Sequence, residues 1–96
     1  MILEHALLDV RPGQEAAFEA AFARARPLIE VQPGMRGLRL ERCIERPSAY
    51  LLLVEWDTLE QHTEGFRRSP EYDEWRALLH GFYDPFPAVE HFTAVL

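Results

Sequence analysis

Residues 49–56 read Ala49-Tyr50-Leu51-Leu52-Leu53-Val54-Glu55-Trp56, and this stretch decides the fold. Its continuous apolar run, broken only by Glu55, is what a strand covered on both faces requires. Directly after it, Asp57 followed three residues later by Glu60 resembles a capping box, so a helix is expected to begin where the strand ends. Leu59, His62, Thr63 and Phe66 form the inner stripe of that helix. Before it, Arg46-Pro47-Ser48 is a hairpin turn, and Leu38, Leu40 and Ile44 alternate with Arg39, Glu41 and Glu45 as a partner strand with one wet face.

Outward from this hairpin the elements alternate. Gln32-Pro33-Gly34 is a turn. Ahead of it, Phe18, Ala21, Phe22, Ala25, Leu28 and Ile29 recur at helical spacing, and Pro27 is expected to bend or end that helix near Arg26. Ile2 to Val10 is apolar in both alternation phases and predicts a second central strand, closed by Pro12-Gly13. On the C-terminal side, Ser69-Pro70-Glu71 combines an N-cap hydroxyl, a proline at the first helical position and a carboxylate at the positive end of the dipole. Tyr72, Trp75, Leu78, Leu79 and Phe82 follow on the inner face, and after Pro85 and Pro87 a last strand is expected from Val89 to Val95.

Strand, helix, strand, strand, helix pair, strand is the ferredoxin-like split βαβ order of an α+β fold, a four-stranded antiparallel sheet with helices on one face. The 96 residues suit one domain, 1–96, with one modest core. Because both central strands are apolar in both phases, the face without helices should bury itself in a homodimer, sheet against sheet.

The charge inventory excludes several functions. All ten basic residues are arginine, so no lysine can form a Schiff base or anchor a P-loop. The net charge of −6 disfavours nucleic acid and anionic membrane surfaces as partners. There is no asparagine, hence no N-glycosylation sequon, and a lone Cys43 can form neither an intrachain disulfide nor a thiolate zinc site. With no basic flank and apolar run at the N-terminus, no signal peptide is visible, and the expected location is cytoplasmic.

The chain resembles the antibiotic biosynthesis monooxygenase family of small dimeric α+β barrel proteins. The resemblance lies in Arg11-Pro12-Gly13-Gln14-Glu15, Pro33-Gly34-Met35-Arg36-Gly37, Leu52-Leu53-Val54-Glu55-Trp56-Asp57-Thr58-Leu59-Glu60-Gln61-His62, Phe66-Arg67-Arg68-Ser69-Pro70-Glu71-Tyr72 and Pro87-Ala88-Val89-Glu90-His91-Phe92. It implies a dimeric α+β barrel and, among the family's activities, oxidation of phenolic or quinol compounds without metal or flavin. Haem-degrading relatives carry an Asn, a Trp and a His where this chain has Ala6, Gly65 and Arg76, so haem degradation is not expected. The polyketide-oxidising relatives also use an Asn that is missing here.

Oxygenation without a cofactor needs an electron-rich substrate that loses a proton, a cavity that excludes water, a base near neutral pKa and a donor for the developing oxyanion. Phe18, Phe22, Trp56, Phe66, Tyr72, Trp75, Phe82 and Phe92 are the candidate aromatic lining. His62, between Leu59 and Phe66 on an apolar stripe, is the candidate base, with one ring nitrogen open to the cavity. His5 and His91 stand in two Glu-His pairs on strands expected to be neighbours, sharing one face with Glu4 and Glu90 on the other, in a substrate-orienting or proton-relay role. Their spacing matches no metal-ligand signature, and no metal or cofactor is expected. Trp56 and Tyr72 can donate to a substrate oxygen, whereas Arg67 and Arg68 are expected on the solvated face or at the helix end. The alternative is a non-catalytic or stress-response barrel that binds a small hydrophobic ligand.

Overall fold

A computed structural model describes residues 1–96. Four strands, β1 (Ile2–Asp9), β2 (Met35–Arg42), β3 (Ala49–Trp56) and β4 (Val89–Phe92), form one antiparallel sheet in the order β2-β3-β1-β4. Helices α1 (Glu15–Glu30) and α2 (Pro70–Leu79) cover one face, which is the ferredoxin-like arrangement, and β1 and β3 are the two central strands. On the helical side Ala6, Leu8, Tyr50, Leu52, Val54 and Trp56 meet Phe18, Phe22, Ala25 and Ile29 of α1 and Trp75 and Leu79 of α2. The opposite face presents Leu3, His5 and Leu7 of β1 beside Leu51 and Leu53 of β3 and Phe92 of β4. Arg39, Glu41, Glu55 and Glu90 border this apolar centre.

Four local expectations are corrected. First, α1 runs through Pro27 to Glu30, because Ala25 and Ile29, both buried, hold it against the sheet on either side of the missing amide. Second, β2 ends at Arg42 and leaves Ile44 91% exposed: the Cys43 amide bonds to the Ala49 carbonyl at 2.8 Å, and the chain turns there. Third, β4 ends at Phe92, not Val95, because Phe92 is already opposite Leu3 and β1 offers only Ile2 beyond it. Fourth, the capping box after β3 uses Thr58 and Gln61, not Asp57 and Glu60. Thr58 Oγ1 accepts from the Gln61 amide (3.3 Å) and Gln61 Oε1 accepts from the Thr58 amide (3.0 Å). Asp57 is drawn away by Arg36, which donates to both of its carboxylate oxygens at 2.8 and 2.5 Å.

The segment this box opens is a π turn at Gln61–Gly65, followed by a 3₁₀ turn at Phe66–Arg68. The Phe66 amide is shared between the carbonyls of Gln61 and His62. The widened turn sends His62 and Phe66 inward and leaves Leu59 39% exposed. Gly34, at φ +83°, lets the turn before β2 pass under the Gln61 amide, which occupies the space a Cβ would need. At Ser69 the expected cap forms, its Oγ accepting from the Tyr72 amide at 3.2 Å ahead of Pro70.

Candidate functional site

Period-two alternation puts Glu4 in phase with Ala6 and Leu8 on the helical face of β1. There the residue is only 5% exposed, flanked by β3 on one side and β4 on the other. From β3, Trp56 Nε1 donates to Glu4 Oε1 at 2.9 Å. From β4, His91 is directly opposite Glu4 in the ladder. The π turn lowers His62 onto this group, its ring stacked on Trp56 with centroids 5.4 Å apart and planes 17° off parallel. His62 Nε2 stands 3.4 Å from Glu4 Oε1, and His62 Nδ1 shares a 2.7 Å hydrogen bond with His91 Nε2.

Burial dominates the electrostatics. It pushes the Glu4 carboxyl from the usual carboxylate range up to about 7, against the Trp56 hydrogen bond and the Arg67 charge, which pull it down. It pushes His62 down to about 3, helped by the charges of Arg67 and His91. His91 is lowered too, by partial burial and then by Arg67. The Glu4–His62 contact is therefore one between a neutral imidazole and a carboxyl poised to take a proton near neutral pH, not an ion pair.

Above these groups lies a cavity of about 380 Å³. Its floor is Glu4, Ala6, Leu8 and Leu52 of the sheet with Val89, and one wall is His62, Phe66 and Arg67. The other wall is Tyr72 and Trp75 of α2, with His80, Tyr83, Phe86 and Pro87 from the segment that follows. Partial burial, then Arg76, lowers His80, which is neutral at pH 7, and burial raises the Tyr83 phenol. Edge-to-face contacts of His80 with Tyr72 and Phe86 make this wall a run of rings.

Of the residues singled out in the sequence, His62, Phe66, Tyr72 and Trp75 line the cavity. Trp56 lies beneath it, fully buried, and holds Glu4. Phe22 is behind the wall, its ring 5.5 Å from that of Trp75, and Phe18 is deeper in the core. Phe82 packs beside the core, outside the cavity lining. His91 reaches the site through His62. His5 does not reach it: it lies on the face without helices, its ring edge-on to Phe92 at 5.4 Å. The shared-face expectation for His5 and His91 is thus reversed, because the register pairs Glu4 with His91 and His5 with Glu90. The open nitrogen expected on His62 is taken up as well, since its two ring nitrogens face Glu4 and His91.

Sequence reasoning missed Glu4, His80, Tyr83 and Phe86, while Arg67 is solvent-exposed as expected and also borders the cavity. Glu4 carried a usable signal, a carboxylate in phase with Ala6 and Leu8 on a central strand. His80 carried none, because a 3₁₀ turn at His80–Phe82 redirects the chain at the end of α2. No three of the His, Cys, Asp and Glu side chains are placed to hold a metal ion.

The comparisons with known proteins agree with this architecture. The uncharacterized protein YczJ of Bacillus subtilis is 55% identical over 95 residues, covering 99% of this chain and all of its own. A Bordetella bronchiseptica protein, provisionally named an antibiotic biosynthesis monooxygenase, superposes with a TM-score of 0.93 at 43% identity, over 99% of this chain and 97% of its own. SnoaB of Streptomyces nogalater, a cofactor-independent oxygenase, shares the fold with a TM-score of 0.80 at 23% identity, over 99% of this chain and 93% of its own. The profile of the family described as antibiotic biosynthesis monooxygenase matches residues 1–78, and with the two closer likenesses it establishes that the chain belongs to that family.

Proposed function

We propose that this protein is a cofactor-independent monooxygenase-like enzyme that oxidises a small aromatic, phenolic or quinol compound with O2. One observation carries the reading: a buried carboxyl with a pKa of about 7 borders an aromatic-lined cavity of a size that suits a small ring compound. Glu4 accepts the substrate proton, and His62, kept neutral, fixes the carboxyl between its own ring and Trp56. The substrate anion then reduces O2. Where a ring CH2 becomes C=O, the substrate supplies all four electrons, one oxygen atom stays in the product and the other leaves as water. Tyr72, in the aromatic wall, is the donor for the developing oxyanion in this reading.

The protein works in this reading as one domain, 1–96, in a homodimer through the face carrying Leu51 and Leu53, and in a reducing compartment, the cytoplasm, that suits its single Cys43. A ligand-binding barrel without catalysis is the second reading, favoured by the engagement of both His62 nitrogens. Oxygen uptake with a panel of anthrones, hydroquinones and phenols separates the two. Turnover by the wild type, reduced at least about tenfold in Glu4→Gln and in His62→Ala, supports catalysis. Binding of panel members with no oxygen consumed at any pH from 6 to 9 leaves only the binding barrel.

A further inference from the structure

The cavity holds one permanent positive charge. Arg67 lines it from the 3₁₀ turn next to Phe66, and no carboxylate lies within ion-pair distance of its guanidinium. Its neighbour Arg68 is tied to Glu64 at 2.8 Å, and seven other arginines have carboxylate partners of their own. Only Arg24, on the outer face of α1 and away from the cavities, is free in the same way. Arg67 is itself solvent-exposed and borders the cavity at its open rim, from where its charge is felt at Glu4, His62 and His91.

Glu4 is faced by Trp56 from β3, His91 from β4, His62 and Arg67 from the turns after β3, and Tyr72 and His80 across the cavity. Among them only Arg67 is a fixed cation, and no second carboxylate lines the cavity. An unpaired guanidinium at the rim of an apolar cavity whose floor holds a buried proton acceptor suits a ligand that arrives with an acidic O–H and stays as the oxyanion.

We propose that Arg67 is the anion hook of this cavity, and that its ligand is an acidic aromatic bound as its oxyanion, with the ligand's proton on Glu4. The inference rests on the cavity reading above and narrows its substrate class to phenols and enols. The transfer balances: the ligand O–H bond breaks, its proton forms an O–H bond on the Glu4 carboxylate, and the electron pair remains on the ligand oxygen facing Arg67. Neutral aromatics of the same shape gain nothing from Arg67.

The test uses 4-nitrophenol, whose phenolate absorbs in the visible, and its neutral counterpart 4-nitrotoluene, each titrated by quenching of tryptophan fluorescence. In the wild type the phenolate band is expected to appear on binding at a pH where free 4-nitrophenol is mostly protonated. Arg67→Gln should weaken 4-nitrophenol about tenfold or more, as loss of a charged hydrogen bond does, and abolish the band shift, while 4-nitrotoluene binds as before. Arg67→Lys should restore part of the shift, and Arg68→Gln, which removes the same charge one residue away, should change neither ligand. Equal affinity of wild type and Arg67→Gln for 4-nitrophenol, or binding of the uncharged phenol, overturns the hook and leaves the cavity reading standing. Failure of both compounds to bind the wild type sinks the cavity reading itself.

Discussion

Glu4 is the proposed proton acceptor, and its burial leaves a thermodynamic trace that needs no substrate. A carboxyl raised from 4.5 to about 7 binds its proton more tightly folded than unfolded, so folding is favoured below the unfolded value and loses that advantage as pH climbs through 7. The loss amounts to about 3 kcal/mol when a shift of this size is converted. His62 works in the opposite sense: lowered to about 3, it costs stability as pH falls below 6.5, where the unfolded ring charges and the folded one does not. The two trends offset each other between about pH 4.5 and 6.5. Glu4→Gln keeps an oxygen for Trp56 Nε1 and removes only the titration. Its melting temperature should therefore exceed that of wild type at pH 8, and the difference should shrink towards pH 4.5 in thermal unfolding followed by circular dichroism. A difference that does not change with pH would mean that Glu4 titrates as an ordinary carboxyl.

The π turn after β3 is the element that makes a site out of a sheet. Its amphipathic stripe was legible in the sequence, as were both residues it sends inward, His62 and Phe66, but not its pitch. Thr58 and Gln61 close its first turn because Arg36 has taken Asp57, a competition decided by where β2 sets Arg36 in space. Thr58→Ala removes the acceptor for the Gln61 amide and should cost about 1 kcal/mol, the usual worth of such a cap. The measurement is a urea titration, with a lower midpoint at unchanged slope. Exchange of the Phe66 amide, shared between two carbonyls, should quicken in the same variant. An unchanged midpoint would show that the turn is held by the burial of His62 and Phe66 alone.

At the scale of the whole molecule, one sheet face is closed by helices and the other is apolar and uncovered, with Leu51 and Leu53 at its centre. Leu53→Asp puts a charge where a second sheet would pack and leaves the helical core untouched. The variant should sediment and scatter light as an 11.2 kDa monomer with native circular dichroism, against a dimer for the wild type. A wild type that is itself monomeric at micromolar concentration ends the dimer proposal. The element order, both central strands, the antiparallel α+β class and the inner stripes of α1 and α2 followed from the amino-acid sequence alone. Hydrophobic periodicity is a local property, and it records which side of each element is buried. Which polar groups meet was decided only by tertiary structure. Cross-strand register, not alternation within either strand, set Glu4 opposite His91 and sent His5 to the far face. The cavity over Glu4 depends likewise on a turn of unusual pitch and on a segment after α2 that carries no periodic signal, since both take their shape from what they pack against.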